Sequence, residues 1–578
     1  MRPKLLSWIA LLAALPAAAV AAAGQDWPQW MKNAQHTGAT SAAGQPAARM
    51  LADVVYDPFV DQEKADPLAT GDLLVHYSAP LIDGNDVYME FKSGTYTKIQ
   101  NWETQTWNER RLHWQNGALV TMWSFQSDWK PVPYGTVSLG PGWEPVFHAA
   151  LSGSFVYVPG FGGSIYKVNK SDGSVAAHIQ PFGSAVDPNT FTCGPLTVDA
   201  AGNVYYNTIK LVNGQAWNAD SRGSWLVKVR PDGTSATVSY VGLIPDAPVA
   251  NDKCVGIFHQ SELPWPPSPD AVPALVQCGS QRAAINLAPA VAPDGTIYTV
   301  SVGHLTSRTG YMVALNPDLT LKWATSLRDR FTDGCNVTIP PTGTLGGCRA
   351  GAHDGVDPAQ NRPGAGRVIE DNTASPVVAP DGSIFWGAYT RFNYAQGHLM
   401  KFAPDGTYLG AFSFGWDTTP AIYGHNGTYS VITKNNHYSD TGSYCDTDSI
   451  CPPDRTANNP ASPEQYFITQ LSKNLVPEWS WQNTNTLSCT RDAAGHVSCV
   501  SDHPNGFEWC INGPVVDKNG VVYANSEDGN LYTINQGGTL RDNLFLDLAL
   551  GAAYTPVAIG ADGKIYTQND GHLFVVGR

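Results

Sequence analysis

Short apolar runs separated by glycine-containing turns make up most of this chain, and one stretch shows the repeating unit clearly. Pro376 opens a run of β-favouring residues, at a position where a missing backbone N–H is tolerated. Pro380-Asp381-Gly382 then forms a tight turn, because proline fixes φ and glycine reaches positive φ. Ile384 and Phe385 begin the return strand. The stretch therefore predicts a β-hairpin.

The same unit recurs along the chain, and this recurrence indicates the architecture. The copies open at Pro80, Pro145, Pro195, Pro289, Pro376, Pro420, Pro514 and Pro556, and the copy at Pro145 matches the pattern least well. Most copies are followed by a second hairpin, and two hairpins give the four antiparallel strands of a propeller blade. We therefore predict an all-β protein, an eight-bladed β-propeller of four-stranded antiparallel blades.

Composition supports one large domain rather than several. No proline- or serine-rich linker divides the 578 residues, and 56 glycines and 42 prolines suit a turn-rich β-protein. The predicted division is a signal peptide over residues 1–23 and a single propeller over 24–578. The net charge of −15 argues against nucleic acid or an anionic membrane surface as a partner.

The N-terminus has the pattern of a secretory signal. Arg2 and Lys4 precede the apolar run Leu5–Leu15, and Ala21–Ala23 supplies small residues at a cleavage site. No later apolar run approaches the ~20 residues that a membrane span requires. We expect a secreted or periplasmic protein, without a membrane span and monomeric.

Ten cysteines in an exported chain are interpreted as disulfide cysteines rather than metal ligands. The expected pairs are Cys335 with Cys348, Cys445 with Cys451, Cys489 with Cys499, and Cys254 with Cys278. Cys193 and Cys510 are then left without an assigned disulfide partner.

Strand order predicts that the two faces of the propeller differ. With the strands of each blade labelled A to D from the axis outward, the A–B and C–D turns must lie on one face, here named the turn face. The B–C loops and the D-to-A connections must lie on the other, the loop face. All the long connections are B–C loops or D-to-A connections: 207–224, 244–285, 328–370, 434–465 and 484–511. Such long loops are uncommon unless they are functional or disordered, and cysteine pairing argues against disorder.

Polar residues precede the A strands, where they are expected at the rim of the central channel. They are His76, Glu144, Arg282, Asn286, Glu370, Asp371, Asn372, Asp417, Glu508 and Asn512. Converging carboxylates and amides can bind a hard cation such as Ca²⁺. They can also raise the pKa of one carboxyl group and so create a general base. A third interpretation is a solvated channel mouth.

Tryptophan is concentrated between residues 92 and 143. The residues are Trp102, Trp107, Trp114, Trp123, Trp129 and Trp143. They are interpreted either as packing between blades or as an aromatic platform for a sugar ring or another flat ligand.

The mature N-terminus and one blade carry a family resemblance. The segments Asp26-Trp27-Pro28-Gln29-Trp30 and Gln35-His36-Thr37-Gly38, with Leu315-Asn316-Pro317-Asp318 leading to Trp323, resemble the pyrroloquinoline-quinone-like (PQQ-like) propeller family. That family includes quinoprotein alcohol dehydrogenases and non-catalytic scaffold proteins. The resemblance implies that an N-terminal segment completes the last blade, which would place Trp27 and Trp30 near residues 571–576.

For a quinoprotein dehydrogenase, the resemblance implies PQQ, Ca²⁺, a catalytic aspartate, an arginine beside the quinone and, in many members, two adjacent cysteines. Adjacent cysteines are absent from this sequence. Asp417 and Asp371 are the candidate bases, Glu370, Asp371 and Asn372 the candidate metal ligands, and Arg349 the candidate quinone partner. No motif assigns these roles.

The leading hypothesis is a protein that binds a small molecule, a protein or a glycan on its loop face. The alternatives are a PQQ- and Ca²⁺-dependent dehydrogenase oxidising an alcohol or sugar, and a polysaccharide-degrading enzyme that uses rim carboxylates.

Overall fold

A computed structural model gives the fold of the chain. It describes residues 26–67, 78–133, 146–215, 218–255, 275–305, 310–327, 374–388, 398–412, 414–437, 464–492, 494–549 and 555–578, with the backbone of 356–357 and 362–363. Eight antiparallel sheets each contain the strand order A–B–C–D. The A strands of blades 1 and 8 contact each other, so the ring of blades is closed. The predicted eight-bladed propeller is confirmed.

The first four blades follow the first four sequence copies. Blade 1 has strands Leu81–Asp83, Asp86–Ser93, Thr106–Gln115 and Ala118–Gln126. Blade 2 has strands Ala150–Ser152, Phe155–Pro159, Ile165–Asn169 and Val175–Ile179. Blade 3 has strands Thr197–Val198, Val204–Lys210, Gly223–Val229 and Ser235–Ser239, with Thr190–Thr192 added beside its B strand. Blade 4 has strands Ala290–Val291, Ile297–Gly303, Tyr311–Leu315 and Leu321–Ser326, with Gln281–Ala283 added in the same way.

The remaining blades complete the ring. Blade 5 has strands Val377–Val378, Ile384–Ala388, His398–Phe402 and Tyr408–Phe412. Blade 6 has strands Ala421–His425, Thr428–His437, Gln465–Ser472 and Pro477–Gln482. Blade 7 has strands Val515–Val516, Val522–Asn525, Asn530–Asn535 and Thr539–Phe545. Blade 8 has strands Ala558–Ile559, Ile565–Asn569, His572–Gly577 and Arg49–Val55.

The other described elements are small. Three hairpins lie outside the blades: Lys253–Val255 with Leu275–Gln277, Val356–Asp357 with Arg362–Pro363, and Leu487–Arg491 with Val497–Ser501. The helical segments are an α-helix at Val60–Ala65 and 3₁₀ turns at Ile99–Thr104 and Phe161–Gly163. Within the described ranges, no helix is long and apolar enough to cross a membrane.

The turns form as their sequence predicts. Gly382 has φ of 81°, a conformation that glycine adopts at low cost. The preceding Asp381 accepts a hydrogen bond from the backbone N–H of Ser383 at 3.0 Å, and Asp294 accepts from Thr296 in the same way at 2.9 Å. These aspartate–backbone bonds stabilise the A–B turns.

Both sides of each blade are buried against its neighbours. On the B strand of blade 1, Val87, Met89 and Phe91 pack towards blade 8, whereas Tyr88 packs towards blade 2. Alternate residues therefore enter two different cores, which explains why six consecutive residues of this B strand, 87–92, are buried.

The tryptophan-rich region of blade 1 is mainly packing. Trp107, Trp123 and Trp129 are buried between blades 1 and 2. Trp102 is buried and donates from Nε1 to the carbonyl of Val132 at 2.6 Å. Trp114 is partly buried and bonds the hydroxyl of Tyr566 in blade 8. The inter-blade interpretation is confirmed for Trp107, Trp114, Trp123 and Trp129. Trp102 is buried against the connection that carries Val132 and forms no exposed platform, and Trp143 lies outside the described residues.

An N-terminal strand closes the ring. Arg49–Val55 pairs antiparallel with His572–Gly577 as the outermost strand of blade 8. The expectation that an N-terminal segment completes the last blade is therefore confirmed. Its placement was wrong, because this strand, rather than the stretch around Trp27 and Trp30, fills the position. Trp27 instead pairs with Ile82 in the A strand of blade 1.

Residues 27–45, here named the ring segment, run around the axis and bond each blade in turn. Backbone groups of Trp27, Pro28, Ala34, Gln35, Thr37, Gly38 and Gln45 bond those of Ile82, Leu151, Val291, Val378, Ile422, Val516 and Gly563 respectively, at 2.7–3.0 Å. Blade 3 is reached by the side chain of Gln29, whose Nε2 donates to the carbonyl of Val198 at 3.0 Å. Every partner lies at or near the A–B turn, so the ring segment occupies the turn-face end of the channel.

Side chains of the ring segment fill the channel itself. His36 is fully buried, with Nδ1 2.8 Å from the carbonyl of Pro376 and Nε2 3.2 Å from Oγ1 of Thr197. Met31 is fully buried, and a Cβ added to Gly513 of blade 7 would lie 2.9 Å from its Sδ. The protein therefore closes this part of its axis with its own side chains.

We predict that Met31→Ala lowers the free energy of unfolding by about 2–5 kcal/mol, because it opens a cavity that eight inward-facing blades cannot collapse to fill. Met122→Ala is the matched control: Met122 is 50% exposed, so its loss should change stability by less than about 0.5 kcal/mol. Equilibrium urea unfolding measures both variants. Equal stability losses would contradict the packing role of Met31.

We predict that His36→Gln weakens the acid sensitivity of the fold. Burial lowers the pKa of His36 from 6.5 to about 4. Because the pKa of His36 is lower in the folded than in the unfolded chain, acidification protonates this histidine in the unfolded state first. The stability from neutral His36 is present above pH ~6.5 and falls towards pH ~4, by roughly 1.4 kcal/mol per pH unit.

Urea unfolding at several values between about pH 7 and pH 5 tests this slope. Glutamine keeps a donor and an acceptor but does not titrate, so the variant should lose part of the slope. His496→Gln is the control, because the His496 side chain is 80% exposed. A slope that is unchanged in His36→Gln would show that this histidine does not set the acid sensitivity.

Candidate functional site on the loop face

The described strands place the long connections on one face, as predicted. Because neighbouring strands are antiparallel in every blade, the B–C loops and D-to-A connections leave from the side opposite the Asp-Gly turns. The connections after residues 210, 239, 326, 437 and 482 are all of these two kinds. The loop face thus carries the long connections, and the turn face carries short turns and the ring segment.

Two predicted disulfides stabilise loop-face connections. Cys254 is bonded to Cys278 and Cys489 to Cys499. Each disulfide joins or adjoins a small hairpin outside the blades. Cys335, Cys348, Cys445 and Cys451 lie outside the described residues.

The interpretation of all ten cysteines as disulfides is wrong for the remaining two. Cys193 and Cys510 are buried thiols on blades 3 and 7, and neither is in a disulfide. Burial raises the pKa of Cys193 to about 12, even though the nearby Arg282 opposes this shift. Burial and then the charges of Glu508 and Glu527 raise the pKa of Cys510 well above its ordinary value.

The predicted rim residues divide into two groups. His76, Glu144, Arg349, Glu370, Asp371 and Asn372 lie outside the described residues. Arg282, Asn286, Asp417 and Asn512 are described and are buried, and Glu508 is half-buried. The four buried residues are thus enclosed by protein rather than exposed at the surface.

Arg282 and Asn286 belong to the contact between blades 3 and 4. Arg282 donates from Nε to Nδ1 of His304 at 3.0 Å and from Nη1 to the carbonyl of Ala283 at 2.9 Å. The backbone N–H of Asn286 donates to the carbonyl of Cys193 at 2.8 Å. The Asn286 bond joins blade 4 to blade 3, whereas both Arg282 bonds stay within blade 4. None of these bonds involves Glu508.

Small hydroxyl residues continue this connection around the axis. Oγ of Ser375 accepts from the N–H of Ala288, and Oγ1 of Thr419 accepts from the N–H of Ser375, both at 3.0 Å. The carbonyl of Asn512 accepts from the N–H of Thr419 at 2.8 Å. Asp417, just before this bond, has φ of 47°. The rim from blade 4 to blade 7 is thus a series of contacts between blades.

One predicted rim residue does lie in a convergent group. Glu508 and Cys510 lie in the connection that enters blade 7, and Glu527 lies between the B and C strands of that blade. Their potential ligand atoms all lie within 4.8 Å of one another. Sγ of Cys510 donates to Oε1 of Glu508 at 3.0 Å. Sequence reasoning found Glu508 but missed Glu527, and it placed Cys510 among the disulfides although that residue had no partner.

A pocket of about 260 Å³ lies elsewhere on the loop face, over blades 1 to 3. Its walls come from five connections and include Glu103, Lys130, Pro131, Val132, Pro133, Phe161, Pro188, Asn189, Phe191, Leu211, Val212 and Asn213. The residues are mostly apolar, with few polar groups at the edge, which is typical of small-molecule sites. Lys130 donates from Nζ to the carbonyl of Gln105 at 2.6 Å, and burial lowers its pKa.

A second cavity, of about 400 Å³, lies on the turn face between blades 4 and 5. Gln35 and Thr37 of the ring segment line it, together with Ala292, Asp294 and Pro404. Its walls are repeated turns rather than added connections.

Comparisons with known proteins show the fold. No protein-family model matches the chain, and no curated protein is significantly similar to it. The quinohemoprotein alcohol dehydrogenase of Comamonas testosteroni has a TM-score of 0.51 at 12% identity, over 97% of this chain and 82% of that chain. The quinohemoprotein alcohol dehydrogenase ADHIIG of Pseudomonas putida HK5 has a TM-score of 0.51 at 10% identity, over 96% and 76% of the two chains. At such identity the likeness establishes a shared propeller fold and leaves the chemistry open.

Proposed function

We propose that this protein, which has the fold of the quinoprotein alcohol dehydrogenases, is an exported binding protein that holds a small apolar ligand on its loop face. The pocket of about 260 Å³ is the observation that supports the proposal. The two disulfides on that face suit an oxidising compartment outside the cytosol.

The lining of the pocket indicates the class of ligand. Phe161, Phe191, Leu211 and Val212 provide an apolar surface, which favours a flat or branched hydrocarbon body. Lys130 and Glu103 are the charged residues in the lining. The Lys130 ammonium group can bond an acidic group of the ligand, and the Glu103 carboxylate can accept from a hydrogen-bond donor.

The walls of the pocket are held in place before any ligand binds. The bond from Trp102 Nε1 to the Val132 carbonyl fixes one wall. Phe191 lies on the short strand added to blade 3, which pairs with Val204–Lys210. A pocket that is already formed loses little conformational entropy on binding.

The quinone alternative is not supported by the described residues. Of the side chains that the resemblance nominates, Arg349, Glu370, Asp371 and Asn372 lie outside the described residues. Asp417 is buried beside the contact between blades 6 and 7. The described residues therefore do not assemble a base, a cation site and a quinone partner, and no chemical step through a quinone follows.

We predict that Val212→Arg weakens binding of the apolar anionic dye 8-anilinonaphthalene-1-sulfonate at least tenfold, because the longer side chain fills the loop-face pocket. The dye matches the pocket with an aromatic body and one negative charge. Its fluorescence, titrated against the folded protein, measures affinity and stoichiometry.

Ala292→Arg is the matched control, because it places the same side chain in the turn-face cavity. The binding proposal expects wild-type affinity for this variant. Loss of binding in Ala292→Arg with retention in Val212→Arg would place the ligand on the turn face and reject the proposal.

We predict that protein loaded with PQQ and Ca²⁺ reduces no dye in the presence of a panel of alcohols and sugars. The same sample should release no reducing ends from a panel of polysaccharides. Dye reduction that requires both PQQ and Ca²⁺ would replace the binding proposal by the dehydrogenase alternative, and reducing-end release would favour the polysaccharide-degrading one.

A further inference from the structure

The convergent group on blade 7 has the composition of a metal site, of which the sequence pattern pointed only to Glu508. Glu508, Cys510 and Glu527 present two carboxylates and one thiol within 4.8 Å. Glu508 and Cys510 lie in the connection that enters the A strand Val515–Val516. Glu527 follows the B strand Val522–Asn525, which pairs with that A strand. Folding of blade 7 therefore brings the three ligand atoms together.

The group is built into the protein rather than spread over its surface. Cys510 is 6% exposed. Oε2 of Glu508 is buried without a hydrogen-bond partner among the described residues. A buried carboxylate oxygen without a partner loses its hydration and gains nothing in return. A cation between the three ligand atoms would supply the missing interaction.

The three ligand groups, with Cys510 deprotonated, and the ammonium group of Lys434 together carry a net negative charge. Lys434 of blade 6 is 3% exposed and its charge acts on Cys510. Two carboxylates, one thiolate and one ammonium group carry a net charge of −2. A divalent cation brings this sum to zero, which favours its binding in a partly buried site.

The ligand types select the metal. A thiolate is a poor ligand for Ca²⁺ or Mg²⁺, which prefer oxygen, and a good ligand for Zn²⁺. Three protein ligands leave the fourth tetrahedral position for water or another ligand. Glu508 and Cys510 flank Trp509 in the sequence. The backbone N–H of Trp509 donates to Oδ1 of Asn436 at 3.3 Å, and this bond fixes the connection that carries the two ligands.

We propose that Glu508, Cys510 and Glu527 bind one Zn²⁺ ion or a similar thiophilic divalent cation. On binding, Cys510 Sγ releases its proton to solvent and forms the metal–sulfur bond, while each glutamate contributes one carboxylate oxygen. The site lies on blade 7, whereas the proposed apolar pocket lies over blades 1 to 3, so the two proposals stand independently.

Cobalt is the probe that tests this proposal. Metal-free full-length protein, prepared with a chelator, is titrated with Co²⁺ and then with Zn²⁺. The expected result is one Co²⁺ per chain with a near-ultraviolet thiolate-to-cobalt charge-transfer band, which Zn²⁺ displaces. Absence of the band, or binding of Co²⁺ without it, would overturn the thiolate site.

Three variants make the test specific. Cys510→Ser should abolish the band and weaken Zn²⁺ binding at least tenfold. Glu527→Gln should keep the band but weaken Zn²⁺ binding about 10–100-fold, a range typical of altered metal surroundings. Cys193→Ser removes the other buried thiol and should behave as wild type.

Circular dichroism of each metal-free variant confirms that it is folded. If Cys510→Ser does not fold, Glu527→Gln decides, because an unchanged Zn²⁺ affinity in that variant would reject the site. Loss of the band in Cys193→Ser would likewise reject it, since the thiolate would then be on blade 3.

Discussion

Ring closure is the constraint on which the rest of this structure depends. A propeller of eight blades is stable only if the last blade packs against the first, because every blade buries both of its sides. Here one chain end supplies the outer strand Arg49–Val55 for the blade formed by the other. Next to this strand, Lys92 of blade 1 forms a buried ion pair with Asp57 at 2.9 Å. Closure thus combines a strand pairing with a charge contact across the junction of blades 8 and 1.

The ring segment adds a second constraint at the axis. Residues 27–45 bond the A strand or the A–B turn of every blade, so all eight blades share one common partner. Backbone hydrogen bonds of this kind depend on position rather than on side-chain type. They fix the inner radius of the ring and fill the turn-face end of its channel.

The difference between the two faces follows from this arrangement. The Asp-Gly turns contain few residues and vary little in length, and the ring segment covers their inner edge. The B–C and D-to-A connections are free to lengthen, because they leave the blades on the face opposite the ring segment. Both the apolar pocket and the Glu508–Cys510–Glu527 group are built from these connections. Function on such a scaffold lies in its loops, while the blades supply rigidity.

The rim shows where sequence reasoning about a site fails. Arg282, Asn286 and Asn512 precede A strands, and position alone suggested that they converge. Arg282 instead bonds groups of its own blade, and backbone groups of Asn286 and Asn512 bond neighbouring blades, because buried polar groups bond the partners nearest to them. Glu508 was found for the same positional reason, and its partners Cys510 and Glu527 were not. The missing fact was a distance between two connections, which no pattern along the chain contains.

The sequence by itself determined the blades, their number, the A–B turns and the face from which the long connections leave. These are local properties: alternation, proline and glycine placement, and strand parity act within a few residues. Tertiary structure alone decided which N-terminal segment closes the ring, that 27–45 fills the axis, that Cys193 and Cys510 stay apart, and which side chains meet on the loop face. Those outcomes depend on contacts between residues far apart in the chain, where packing geometry rather than local preference selects the partner.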